Sequence, residues 1–182
     1  MNRKRLLAAF LWASAVVVAV HFVAFPGSVP DFERASGGGS LLDVAPSFSE
    51  DATYARLESY GESGRRNYFF RNLTVDIFLP LSLLPFLFLL MQSSIARLSL
   101  DRTSRRLLLA IPFAYVGFDL AENASVIALL TSYPDRLAVL SAVLPYLTVV
   151  KRAASMLALI VPLLILAFAV LRDWRRTAVA DD

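Results

Sequence analysis

The chain has 182 residues, 57% of them hydrophobic and only 18% charged, with a mean hydropathy of +0.60. A soluble domain is nearer a quarter charged, so this balance, together with apolar runs of about twenty residues, excludes an ordinary soluble domain and indicates an integral membrane protein. The net charge of +3 lies mostly in basic clusters beside the apolar runs, so no nucleic-acid partner is implied, and the lack of cysteine excludes disulfides, thiolate metal sites and cysteine nucleophiles.

Arg3, Lys4 and Arg5 precede an apolar run over 6–25 that ends at Pro26-Gly27. The run is longer than a signal-peptide core and no small-x-small cleavage site follows it, so it reads as a retained first span. Residues 26–70 form an outer loop. Within it, Ser36-Gly-Gly-Gly-Ser40 is a flexible linker by composition; no Lys-Ser/Thr follows to make it a phosphate loop. Ser47 and Glu50 have capping-box spacing, and Gly61 suits the position just past a helix end, so a short helix is expected up to Tyr60.

The second span covers 72–92, with Asp76, Pro80 and Pro85 inside it and Arg65, Arg66 and Arg71 before it. Arg97, Arg102, Arg105 and Arg106 stand in the next loop, and the third span is 107–131. A turn at Ser132–Arg136 leads to 137–171, which is too long for one simple span and is divided by Lys151-Arg152. A kink or a split near 145–152 is expected there, with bends at Pro145 and Pro162.

With four spans, the basic N-terminus, the Arg-rich 93–106 loop and the tail with Arg172, Arg175 and Arg176 fall on one side. The positive-inside rule makes that side cytoplasmic and the acidic first loop external. The elements together predict an all-α polytopic membrane protein of the cell membrane, inner or plasma. It is a single domain over 1–182: a four-transmembrane-helix bundle whose extracytoplasmic loop, between the first two spans, contains a short helix.

The third span carries Asp119, Glu122 and Asn123 at i, i+3 and i+4, hence on one helical face. Ionisable groups at membrane depth are costly and face a protein interior or a wet cavity. Counting ~1.5 Å per residue from the cytoplasmic ends puts His21 at ~22 Å, Asp76 at ~24 Å, Asp119 at ~18 Å, Glu122 at ~22 Å and Lys151 at ~30 Å. All four helices therefore bring a polar side chain to the outer third of the membrane. Lys151 and Arg152 are long enough to reach into that layer, and Tyr115 and Thr148 add hydroxyls. Each member also has a plainer role: His21 as an interfacial histidine, Asp76 as the partner of Arg71 or Arg152, Lys151 as a residue snorkelling to the surface.

Tyr60-Gly61, Gly64-Arg65-Arg66 with Tyr68, Asp76 with Pro80, Asp119-x-x-Glu122-Asn123, Tyr133-Pro134 and Thr148-x-x-Lys151 follow one another over about two thirds of the chain. In this order and spacing they resemble a family of small four-helix bacterial membrane proteins. The resemblance implies a four-helix membrane fold and carries no activity.

Three functions are compatible with this pattern. A small scaffold or accessory membrane protein with a buried polar network ranks first, because no catalytic motif accompanies the charges. A proton or cation relay, or a transporter subunit, ranks second; four helices make a thin pathway, which would require a homo-oligomer or a membrane-protein partner. An enzyme acting on a lipid headgroup at the outer leaflet ranks third, with Glu122 or Asp119 as general acid/base and Lys151 as an anion clamp. A metal held by His21, Asp76 and Glu122 is a weak variant of it, so neither cofactor nor metal is expected. H-E-x-x-H, G-x-S-x-G, Walker A and G-x-G-x-x-G are absent.

Overall fold

A computed structural model of the protein describes the backbone over residues 3–180 and side chains as far as Arg172, so Arg175 and Arg176 lie outside the described side chains. The described residues form seven helices and no strand: α1 (Arg3–Phe22), α2 (Val29–Ala35), α3 (Glu50–Ser59), α4 (Gly61–Leu73), α5 (Val75–Ile95), α6 (Arg102–Ser132) and α7 (Ala138–Ala180). Four helical stretches are long and apolar enough to cross a membrane: α1, α4 with α5, α6, and α7. Their outward faces stay apolar and exposed, from Leu7 and Trp12 on α1 to Leu164 and Phe168 on α7, which suits hydrocarbon rather than water as solvent.

The helices α5, α6 and α7 pack on one another, whereas α1 lies along α5, touches α2, and does not pack along α6 or α7. Ring contacts Phe10–Phe86 and Trp12–Phe78 run in opposite chain directions, so α1 and α5 are antiparallel. Short connections make α5, α6 and α7 alternate as well. The start of α1, the 96–101 turn and the far part of α7 therefore share one end, while α2, α3 and α4 occupy the other, called here the loop end. Ala154 and Ala158, one turn apart on α7, are buried against Leu87 of α5 and Tyr115 and Val116 of α6, where small side chains let the helices approach closely.

Local sequence accounts for most helix limits. Asp101 caps α6 by accepting from the backbone N–H of Thr103 and Ser104 at 2.8 and 2.9 Å. Helix α2 is absent from the sequence reading, although its signals are present: Ser28 as N-cap, Pro30 in the first turn and Asp31 three residues after the cap. The expected loop helix forms as α3, but Ser49 rather than Ser47 caps it, accepting from Ala52 N–H at 3.1 Å. The reason is position: the first helical residue is Glu50, which leaves Ser47 two residues too early to reach a free N–H. Gly61 does follow α3 with φ +62°. Helix α4 then begins at once, so the loop is largely helical and α4 runs through Thr74 directly into α5. Helix α7 is not split near 145–152 but runs continuously through Pro145 and Pro162.

The largest buried cluster lies at the loop end. Phe32 of α2, Tyr54 and Leu57 of α3, Tyr60, and Tyr68 of α4 pack with Leu41 and Leu42 onto Val126, Leu129 and Leu130 of α6 and Leu144 of α7. Phe32, Tyr60 and Tyr68 meet with ring centroids 5.2–5.9 Å apart. This core holds the strap 36–44 against α6 and α7, and the charged residues lie beneath it.

A candidate functional site beneath the strap

Lys151 is the hub of the polar layer. Its Nζ pairs with Glu122 Oε2, lies 3.4 Å from Asp119 Oδ1, and lies 3.8 Å from Asp43 of the strap. Glu122 is fully buried and is also bonded by the Thr148 hydroxyl. Asn123 joins two parts of the layer: its Nδ2 donates to the Asp76 carbonyl at 2.8 Å and to Asp119 Oδ2 at 3.2 Å. The carboxylate of Asp76 faces Arg71 at 2.8 Å, and that guanidinium also donates to the Gly27 carbonyl at 2.8 Å. The i, i+3, i+4 spacing on α6 thus does what helical geometry requires, aiming Asp119, Glu122 and Asn123 at α5 and α7 together.

The layer opens onto a cavity of about 530 Å³ between the strap and the helices. Asp119, Asn123, Asp76, Arg71 and Lys151 line it, with Asp43 from the strap and Tyr115 and Pro80 deeper in. Glu122 does not line it and stands behind Lys151. Its place is that of a group that fixes the ammonium rather than one that meets a ligand.

The sequence-derived candidates therefore divide. Asp119, Glu122, Asn123 and Lys151 are brought together, and Asp76 joins them through Asn123 while its carboxylate pairs with Arg71 rather than Arg152. Arg152 is exposed and points away from the layer, donating to the carbonyls of Asp43 and Val44 at 2.7 and 2.5 Å. It clamps the strap from outside. His21 is exposed on α1, its Nδ1 2.9 Å from the Val17 carbonyl, and reaches only the cavity's lining. Since α1 packs on α5 alone among the three core helices, its polar residue stays at the periphery. Among the described residues no group of three or more His, Asp or Glu side chains is arranged to hold a metal ion, so His21, Asp76 and Glu122 do not converge as ligands.

Asp43, one of the acids of the outer loop but not among the sequence-derived candidates for the site, is the strap's contribution. Its Oδ1 accepts from the Tyr68 hydroxyl at 3.1 Å, and Tyr68 in turn accepts from Leu42 N–H at 3.2 Å. Tyr60 fastens the strap further back by donating to the Ser40 carbonyl at 2.6 Å. Burial raises the Tyr60 hydroxyl well above its ordinary range, so it stays a donor there. Nothing in the local sequence marks Asp43. The available signal is indirect: an acid just beyond a glycine linker, in a loop whose aromatics are spaced to pack.

Comparison of the chain with models of protein families, with curated proteins and with solved structures found no match.

Proposed function

We propose that the protein is a four-span membrane protein whose loop end faces outward, and that its cavity binds the polar head of a lipid of the outer leaflet. The observation that carries this reading is the cavity itself. Acid, amide and cation from α5, α6 and α7 line a space large enough for a headgroup. The orientation is supported by Arg3, Lys4, Arg5, Arg97, Arg102, Arg105 and Arg106, all at the end opposite the strap.

In such a site Lys151 supplies positive charge and Asn123 its amide oxygen, while Asp119 is a carboxylate within reach. An acid–base step would fall to Asp119 and not to Glu122, because only Asp119 lines the cavity. Lipids co-purified with the protein test the reading, with retention followed by mass spectrometry of the intact complex in detergent. Wild type is expected to retain a lipid that Asp119→Asn and Lys151→Met lose while still eluting as folded protein. Equal retention by all three would remove the headgroup reading.

The scaffold reading keeps one specific observation in its favour. Lys151 links the strap to α6, and Arg152 clamps the same strap, so the network also holds the loop end together. The relay reading lacks a path. The buried serines further along α5, Ser82 and Ser94, do not extend the charged layer, and Ser94 donates at 2.8 Å to the Leu90 carbonyl of its own helix.

A further inference from the structure

The cavity has two levels, and their register is regular. Pro80 lies four residues from Asp76 on α5, Tyr115 four from Asp119 on α6, and Ser155 four from Lys151 on α7, and all six line the same space. Each lower residue is one helical turn, ~6 Å, further from the strap than its charged counterpart. The upper level carries the charge. The lower level presents a proline ring, a phenol ring and a small hydroxyl, with Leu79 beside them. The polarity gradient therefore runs along the helices, from the strap towards the middle of the bundle.

One wall of this space is thin. Helix α1 packs along α5 but not along α7, and its contribution to the lining is His21, which is exposed. Opposite stands α7 with Ser155 half-buried and Val150 and Leu159 exposed beside it. A headgroup with its chain cannot enter from the strap side without displacing the Lys151–Asp43 and Arg152 contacts. The gap between α1 and α7 needs no such rupture and faces the hydrocarbon.

We infer that the cavity is entered sideways, through the gap between α1 and α7, by a lipid whose head occupies the charged level and whose hydrocarbon chain passes Tyr115 and Ser155 into the bilayer. This rests on the headgroup reading and adds the route and the chain to it. Ser155 is the gatepost: its small side chain leaves the opening clear, and a larger one there closes it. Tyr115 forms the inner wall the chain lies against.

Quenching by brominated lipid tests the route. In a Trp12→Phe/Trp174→Phe background, Tyr115→Trp makes the inner wall the fluorescent reporter, and Leu159→Trp serves as the surface control. In vesicles of phosphatidylethanolamine and phosphatidylglycerol brominated on the acyl chain near the glycerol, both reporters are expected to lose most of their emission. Adding Ser155→Phe restores the emission of the inner reporter and leaves the surface one quenched. The chain has no cysteine, so Ser155→Cys modified with a bulky maleimide after folding gives the same block without demands on folding. An inner reporter as bright in brominated as in ordinary lipid overturns the inference, and so does quenching that survives both blocks. If Lys151→Met and Asp119→Asn leave lipid retention at the wild-type level, the headgroup reading fails. If they abolish retention while both blocks leave quenching and retention unchanged, the route alone fails.

Discussion

Lys151→Met is the sharpest single perturbation of the bundle. Methionine nearly matches the lysine stem in volume, so the change removes charge with little loss of packing. Glu122 has a side chain with no exposure, Asp119 one that is 11% exposed, and both lose their cation together with Asp43. Removing one partner of a buried ion pair costs about 3–5 kcal/mol, because the charge left behind is no longer compensated. Against a total stability of about 5–15 kcal/mol, that is roughly a fifth or more of what holds a typical domain folded. Glu122→Gln alone keeps the side chain's shape and a partner for Thr148, but leaves the ammonium with Asp119 and Asp43. The pair Lys151→Met/Glu122→Gln removes both charges and is expected to recover about 1–3 kcal/mol relative to the sum of the single changes. Reversible unfolding in mixed micelles, titrated with dodecyl sulfate and followed by circular dichroism, reads all four proteins. Strict additivity, or a Lys151→Met protein as stable as wild type, would refute the view that Lys151 and Glu122 are a coupled buried pair.

Gly64→Ala brings a Cβ within 3.0 Å of the Ser36 backbone and 2.9 Å of Tyr60 Cβ, so α2 and α4 must separate. A loss of about 1–3 kcal/mol and faster proteolysis of the strap are expected, and unchanged proteolysis would argue against this contact. Tyr54→Phe removes a hydroxyl that accepts from Leu137 N–H at 2.6 Å and donates to the Asp135 carbonyl at 3.1 Å. It should cost about 1–2 kcal/mol in the same titration and speed hydrogen exchange at the start of α7. Asp31 accepts from Gly27 N–H at 2.9 Å and from Asn67 at 2.6 Å, and these two bonds lower its pKa from the ordinary 3.8. A depressed folded pKa means that the contribution is present above the ordinary aspartate range and lost as pH falls through it. Wild type should therefore loosen at the α1–α2 corner below about pH 4, whereas Asp31→Asn should be looser at neutral pH and flat across that range. Identical acid profiles by loop proteolysis would remove Asp31 from that role.

The residues that were legible in the sequence are those whose partners are set by helical period and depth. Asp119, Glu122 and Asn123 had to share a face, and depth counting along separate helices brought Lys151 and Asp76 to the same level. The four long apolar helices followed from run length alone. Gly61 marked the end of α3 because few other residues adopt a positive φ there. The count went astray for His21 and Arg152 because depth says nothing of rotation or of which helices touch. His21 sits at a suitable level on a helix that packs only at the edge, and Arg152 is next to Lys151 in sequence but turned about 100° from it around α7.

What only the tertiary structure decided is the role of the loop. Phe32, Tyr60 and Tyr68 are scattered over three segments, and their packing depends on chain closure rather than on any local pattern. That packing draws the strap against α6 and α7, delivers Asp43 to Lys151 and roofs the cavity. The sequence by itself determined that charge would lie at one level among apolar helices, since burying such groups unpaired is too costly. Whether that level would be a closed network or the wall of a chamber depended on long-range packing, because a gap between helices is set by what each helix fails to touch.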